Sequence, residues 1–288
     1  MVNKKIPSFL GIIVIIIGII ATIFLVRNER IIQINAGPGQ EPKNIEVSNV
    51  SDSSFTITYT TDDSVIGTLN IGETSNNLSI KNLDIRDKNS QSVSKYQTHH
   101  LVANNLKPNK TYYYTITSGD KTFSNNGSSY ELKTAPSIGK NLSNKTVASG
   151  KVINPDGTIP TGAIVVVKIN GAQPISSILN SDGSYSIPMS NLRTFGLDKF
   201  ADVNEELPVN IDIFAGNLKS QVNLSSNQLS NIPLVTLSNN YHFSEVNSVV
   251  VKNNRENVTF PEFSSKANTQ KQIRSLPPTK SPSTSPNL

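Results

Sequence analysis

The chain has 288 residues, a net charge of +5, and neither cysteine nor tryptophan; 36% of its residues are hydrophobic and 16% are charged. The lack of cysteine excludes a disulfide scaffold, thiol catalysis and a Cys-based zinc site. The apolar fraction supports one or two modest cores rather than one large enzyme, and nothing in the charge distribution signals nucleic-acid binding.

Residues 9–26, FLGIIVIIIGIIATIFLV, contain no charge. As a helix this run covers roughly 27 Å, close to the roughly 30 Å of a bilayer's hydrocarbon core. Arg27, Asn28, Glu29 and Arg30 follow directly as a charged stop, and the only cleavage-like spot, Ile34, Asn35 and Ala36, lies well beyond the run with a bulky Ile where a secretory signal has a small residue. The expectation is a retained single-pass membrane anchor over residues 1–30. The slight excess of positive charge at Lys4, Lys5 and the amino terminus favours a cytoplasmic N-terminus and an extracytoplasmic bulk. Residues 31–41, with Gly37, Pro38 and Gly39, read as a linker.

Residues 42–136 show short strands at regular spacing with turn residues between them, the pattern of a β-sandwich. Phe55, Ile57 and Tyr59 alternate with Thr56, Thr58 and Thr60, a period of two with one apolar face. Tyr112, Tyr114 and Ile116 repeat the pattern, with Tyr113 and Thr115 on the other face. SSFTITYTTD (53–62) resembles the second strand of fibronectin type III modules, with Tyr59 where that family usually places a core Trp. LKPNKTYYY (106–114) resembles the turn into the strand that carries the tyrosine corner, with Leu106, Pro108 and Tyr112 at its L-x-P-x-x-x-Y positions. The fuller string THHLVANNLKPNKTYYYTITSG is most similar to the variant at the front of purple acid phosphatases and in many surface proteins. That resemblance implies a buried Tyr112 ring bonded to nearby backbone. It does not imply phosphatase activity, because the metal-gathering catalytic domain has no counterpart in the sequence.

A second β domain is expected over 144–240. The run 163–169 is nearly all apolar and too short for a buried helix, so it reads as a central strand. SGKVINPDGTIPTGAIVVVKING (149–171) resembles the opening of carboxypeptidase regulatory-like, prealbumin-type sandwiches, Gly162, Ala163 and Val165 standing at that family's positions, and NSDGSYSIP (180–188) matches its next hairpin. Gly216-Asn217 splits VNIDIFAGNLKSQVNL (209–224) as a two-residue hairpin turn. The stretch 191–207 is the least legible and admits a short helix. From 241 to 288 the apolar pattern fades and the tail reads as mostly disordered, with one further strand conceivable at 249–251. The expected fold class is thus all-β, two tandem β-sandwich domains after a single N-terminal transmembrane helix.

The sequence carries no recognisable catalytic constellation. His99 and His100 are adjacent, but neighbours on a strand face opposite sides and cannot ligate one ion together, so the expectation is one half-buried and one exposed histidine. Asp156-Gly157 and Asp182-Gly183 read as tight turns rather than calcium loops. Lys151 is the candidate for an internal isopeptide bond, and LPPTK (276–280) lacks the glycine of a wall-sorting signal. No cofactor, metal or small-molecule substrate is expected. The reading is a non-catalytic surface protein whose sandwiches serve as spacer or binding modules for an envelope protein or glycan. The alternative is an accessory subunit that positions a separate hydrolase at the membrane. Binding, if it resides on loops, falls to Asp62, Asp63, Thr117 and Asp120 in the first domain and Asn154 and Asp156 in the second.

Overall fold

A computed structural model describes residues 38–139, 145–203 and 206–243. The apolar run at 9–26, the start of the linker and the polar tail with LPPTK lie outside the described residues. Among the described residues no helix is long and apolar enough to cross a membrane. They form sixteen strands and three short 3-10 turns, an all-β architecture.

The first sandwich has a three-stranded sheet of β1 (Lys43–Ser48), β2 (Phe55–Val65) and β5 (Tyr96–Ala103), in the order β1-β2-β5. Its partner runs β4 (Ile80–Leu83), β3 (Gly67–Gly72), β6 (Thr111–Ser118) and β7 (Lys121–Phe123), with β8 (Tyr130–Lys133) also pairing β6. Alternation places Phe55, Ile57 and Tyr59 of β2 opposite Tyr112, Tyr114 and Ile116 of β6, all buried in one core with Leu69, Ile71 and Leu101. Each such side chain contributes about 1.5–3 kcal/mol of burial free energy, so the two interlocking stripes suffice to hold the sheets together. The chain joins this body earlier than the linker reading expects: Pro38–Gln40 forms a 3-10 turn, Gly39 is buried, and Ser118 Oγ donates to the Gln40 carbonyl at 2.8 Å.

In the second sandwich one sheet runs β11 (Ile175–Ile178), β10 (Ile164–Ile169), β13 (Pro208–Ala215), β14 (Leu218–Ser225) and β16 (Asn240–His242). The other contains β12 (Ser184–Pro188), β9 (Val147–Ile153) and β15 (Val235–Thr236). The apolar run is the central β10, bordered by β11 and β13. Gly216 and Asn217 link β13 to β14 through the pair Ala215 and Leu218; Gly216 has φ +58°, which a two-residue turn of this kind needs. Two late strands close the sheets in parallel, β15 on β9 and β16 on β14. Strand β16 crosses the boundary expected at 240, and Tyr241 and Phe243 pack on the core. The stretch after β12 holds no helix beyond the 3-10 turn Met189–Asn191 among its described residues; instead Arg193 pairs with Phe200 in an isolated bridge.

The two sandwiches meet face to face. Thr56, Thr58 and Thr60, the polar side of the alternation in β2, are buried because the outer side of β1-β2-β5 packs on the outer side of β10 and β13. There Ile164, Val166 and Phe214 form a small apolar cluster of their own. Asn49 locks one edge: its Oδ1 accepts Ser176 N–H at 3.0 Å, its Nδ2 donates to the Ser176 carbonyl at 3.1 Å, and its N–H donates to the Pro174 carbonyl at 3.0 Å. Ser48 Oγ and Ser176 Oγ share a hydrogen bond of 2.7 Å, Thr98 Oγ1 donates to the Gly162 carbonyl at 2.7 Å, and Lys168 of β10 pairs with Glu46 of β1. Because this interface hydrogen-bonds several buried polar groups as well as covering apolar ones, the sandwiches form one body.

Candidate functional site

The Tyr112 ring is buried in the first core, and its hydroxyl oxygen accepts the Lys107 N–H at 2.9 Å, five residues upstream. Leu106 is buried beneath this corner, and Pro108 is exposed on the turn. Tyr112→Phe is expected to cost about 1 kcal/mol in a urea melt, because it leaves the Lys107 N–H without its partner, whereas Tyr113→Phe on the opposite face should stay within about 0.5 kcal/mol. Equal effects of the two substitutions would overturn the assigned corner.

Tyr59 fills the position of the usual Trp and stacks on His99, with ring centroids 4.2 Å apart. His99 and His100 do face opposite sides of β5, but neither is exposed: His99 has 0% and His100 6% of its surface free. The expectation of an exposed histidine fails because the second sandwich covers the outer face of β5, where His100 Nε2 meets Ser176 Oγ at 3.2 Å. Burial, opposed by the Asp84 carboxylate, lowers both rings to about 4, so both are neutral at physiological pH.

A charged cluster supports this junction from the side. Arg86 forms a two-pronged contact with Asp84, Nε to Oδ1 at 2.8 Å and Nη2 to Oδ2 at 2.9 Å, and Asp84 Oδ2 also accepts His100 N–H at 2.9 Å. Burial pushes the Asp84 carboxyl up, but the Arg86 guanidinium and these N–H groups outweigh it and hold the group below its ordinary range. Arg86 lies over the Tyr96 ring at 3.5 Å and bonds the Thr98 carbonyl. Gly162 of the second sandwich, at φ +79°, sits against it; a Cβ there would come within 2.7 Å of Arg86 Nη1.

Most of the loop residues expected to bind are held by local contacts. Asp62 and Asp63 lie in β2 itself, where the pairing with β5 is interrupted between Thr60 and Val65; Asp62 pairs with Lys43 at 2.5 Å. Thr117 is on β6 and is held by Asn70 at 2.9 Å and Thr122 at 3.2 Å. Asp120 occupies the exposed β6–β7 turn. Asn154 and Asp156 close their own turn through Thr158: Asp156 Oδ1 accepts both its N–H (3.0 Å) and its hydroxyl (2.6 Å). Asp182 makes the same turn with Ser184. Lys151 is exposed on β9, without the burial that isopeptide chemistry requires. Among the described residues no three His, Cys, Asp or Glu side chains gather as a metal site.

A feature that sequence reasoning missed is a cleft of about 450 Å³ at the seam of the sandwiches. Its walls come from the β1–β2 turn (Ser53), β11 (Ser176), β12 (Ser186) and the segment after it (Asn191, Arg193 and Phe200). These residues are more than a hundred positions apart across the seam, so no local pattern marks them. Arg193 is 4% exposed, its Nη1 bonded to the carbonyls of Pro136 (3.1 Å) and Leu197 (3.2 Å), and its guanidinium lies 4.7 Å from the Phe200 ring centre.

Residues 42–134 match the family model for the purple acid phosphatase N-terminal domain, so the first sandwich is a module of that type, with a fibronectin III-like fold. No curated protein matches the chain. Among solved structures, PhoD aligns at 13% identity and a TM-score of 0.23 over 38% of this chain; the chain spans 21% of its length. The FN1-FN3 domains of chicken CNTN1 align at 13% identity and a TM-score of 0.24, covering 69% of this chain and 68% of that one. A two-domain fibronectin type III segment of chicken tenascin aligns at 12% and 0.19, covering 63% and 96%.

Proposed function

We propose that the chain is a non-catalytic, single-pass cell-envelope protein whose two extracytoplasmic sandwiches act as one rigid spacer or binding module for a protein or glycan partner. The face-to-face junction carries this reading, because a buried, hydrogen-bonded seam fixes the two sandwiches relative to one another and creates a cleft between them. The apolar run at 9–26 with its charged stop supports the anchor and the orientation. Gly162 and Ala163 leading into the central β10, and the hairpin at 180–188 leading into β12, support a carboxypeptidase regulatory-like second sandwich. The buried, neutral histidines argue against a catalytic role for the imidazoles.

A second reading, an accessory subunit that positions a separate hydrolase, draws on the match of residues 42–134 to a domain that precedes phosphatases. One experiment tests both. Full-length tagged protein should remain with membranes through alkaline carbonate washing, lose its β domains to protease added outside, and capture an envelope protein or glycan after cross-linking. A hydrolase as the dominant captured partner would favour the second reading. Turnover of a phosphate ester or glycan by the purified chain, abolished by His99→Ala, would end the non-catalytic one.

A further inference from the structure

The cleft at the seam contains a nearly buried cation, Arg193, with no anion in direct contact. Among the described residues Arg193 makes no ion pair; its recorded partners are two carbonyls and the face of Phe200. Asp52 lines the same cleft and its charge favours the charged guanidinium, but it forms no ion pair with it, its carboxylate accepting the Ser137 hydroxyl at 2.8 Å. Both carbonyls bond the same Nη1, which leaves the rest of the planar guanidinium fork for a ligand, and that fork suits a carboxylate or phosphate.

Around Arg193 the cleft offers groups that the fold leaves uncommitted. The side chains of Ser53, Ser186 and Asn191 line it and are bonded to no other described residue. Hydroxyl and amide groups donate and accept alike, which fits a ligand carrying several hydroxyls. Ile187 and Pro188 supply an apolar floor, and the volume of about 450 Å³ lies within the range of a small-ligand site.

We infer that this cleft binds an acidic saccharide, one whose ring hydroxyls meet Ser53, Ser186 and Asn191 and whose anionic substituent, carboxylate or phosphate, pairs with Arg193. This rests on the binding-module reading and assigns it a place and a ligand chemistry.

The test uses full-length protein and saturation-transfer NMR with glucuronic acid, glucose 6-phosphate and glucose. At least one of the two charged sugars should bind, roughly tenfold or more tightly than glucose, and whichever binds better identifies the anion. Arg193→Lys should weaken that binding roughly tenfold, since an ammonium cannot reproduce the fork. Ser186→Tyr provides a variant that does not depend on a buried residue: Ser186 is exposed on β12, so a ring there fills the cleft without removing a fold contact. It should abolish binding with an unchanged thermal melt. Equal binding of glucose and the charged sugars, no binding of any of the three, or binding unaffected by Ser186→Tyr would overturn the inference. An acidic peptide that competes at the cleft while no sugar binds would overturn it too. Partner capture that survives Ser186→Tyr alongside a failed sugar titration would leave the module reading standing, so the two failures are distinguishable.

Discussion

Arg86→Ala should cost about 3 to 5 kcal/mol of stability in urea or guanidinium melts, the largest effect expected of a single substitution outside the apolar cores. Asp84 is 1% exposed, and removal of the guanidinium leaves its carboxylate buried with only N–H donors for company. The same substitution empties the space against Gly162 and Tyr96, so it loosens the seam as well. The sign of the pH dependence separates this mechanism from plain loss of packing. In the variant, burial no longer opposed by Arg86 raises the Asp84 carboxyl in the folded state. The folded state then binds more protons than the unfolded, so stability falls as pH rises through the raised value. The penalty should therefore shrink on acidification. The double substitution Asp84→Asn with Arg86→Met should recover much of the loss, since it leaves no unpaired charge. A penalty that is independent of pH, or below about 1 kcal/mol, would refute the assignment.

The second large effect is on the wild-type protein in acid. His99 and His100 have folded values of about 4 against an ordinary value near 6.5, both lowered by burial. Between these values the unfolded chain takes up protons that the folded chain refuses, so stability is fully present above about pH 6.5 and is lost as pH falls toward about 4. By about pH 4.5 the loss should reach about 2 to 3 kcal/mol for each ring. Asp84 does not add to it in this window, because its folded value lies below the usual carboxylate range and its contribution disappears only at lower pH. Glu46, at the seam, acts in the opposite direction: burial, only partly offset by Lys168, raises it. Denaturation midpoints measured across this range should fall steeply, and His100→Gln should remove roughly half of the slope. A flat profile would mean that water reaches the rings.

Much of the fold was legible from local pattern. The alternation in β2 and β6 identified the first core, the apolar run identified β10, and Gly216-Asn217 identified the hairpin between β13 and β14, because each signal lies within one short segment. What failed was non-local. Thr56, Thr58 and His100 have the polarity of a wet surface, and nothing near them in sequence announces that β10 and β13 cover it. Asp62 and Asp63 look like loop residues, yet the strand continues through them because a pairing irregularity absorbs their polarity. Strand β16 escaped notice since its apolar signal is Tyr241 alone, with Phe243 just after it, too brief for a period to show. Arg193 was invisible as a site residue for the same reason as the cleft itself: its neighbours come from both sandwiches.

The polar make-up of the covered face has a consequence for the order of folding. Ser48 meets Ser176 across a separation of 128 positions, so the seam cannot close until the second sandwich has been synthesised and has found its own core. During that interval the first sandwich, whose core draws on residues 47–116, stands with the outer side of β1-β2-β5 in water. An apolar face would then be a nucleus for aggregation; a face of threonines, serine and histidine stays hydrated until its partner arrives. The face therefore trades some final binding energy for safe passage through a half-finished state.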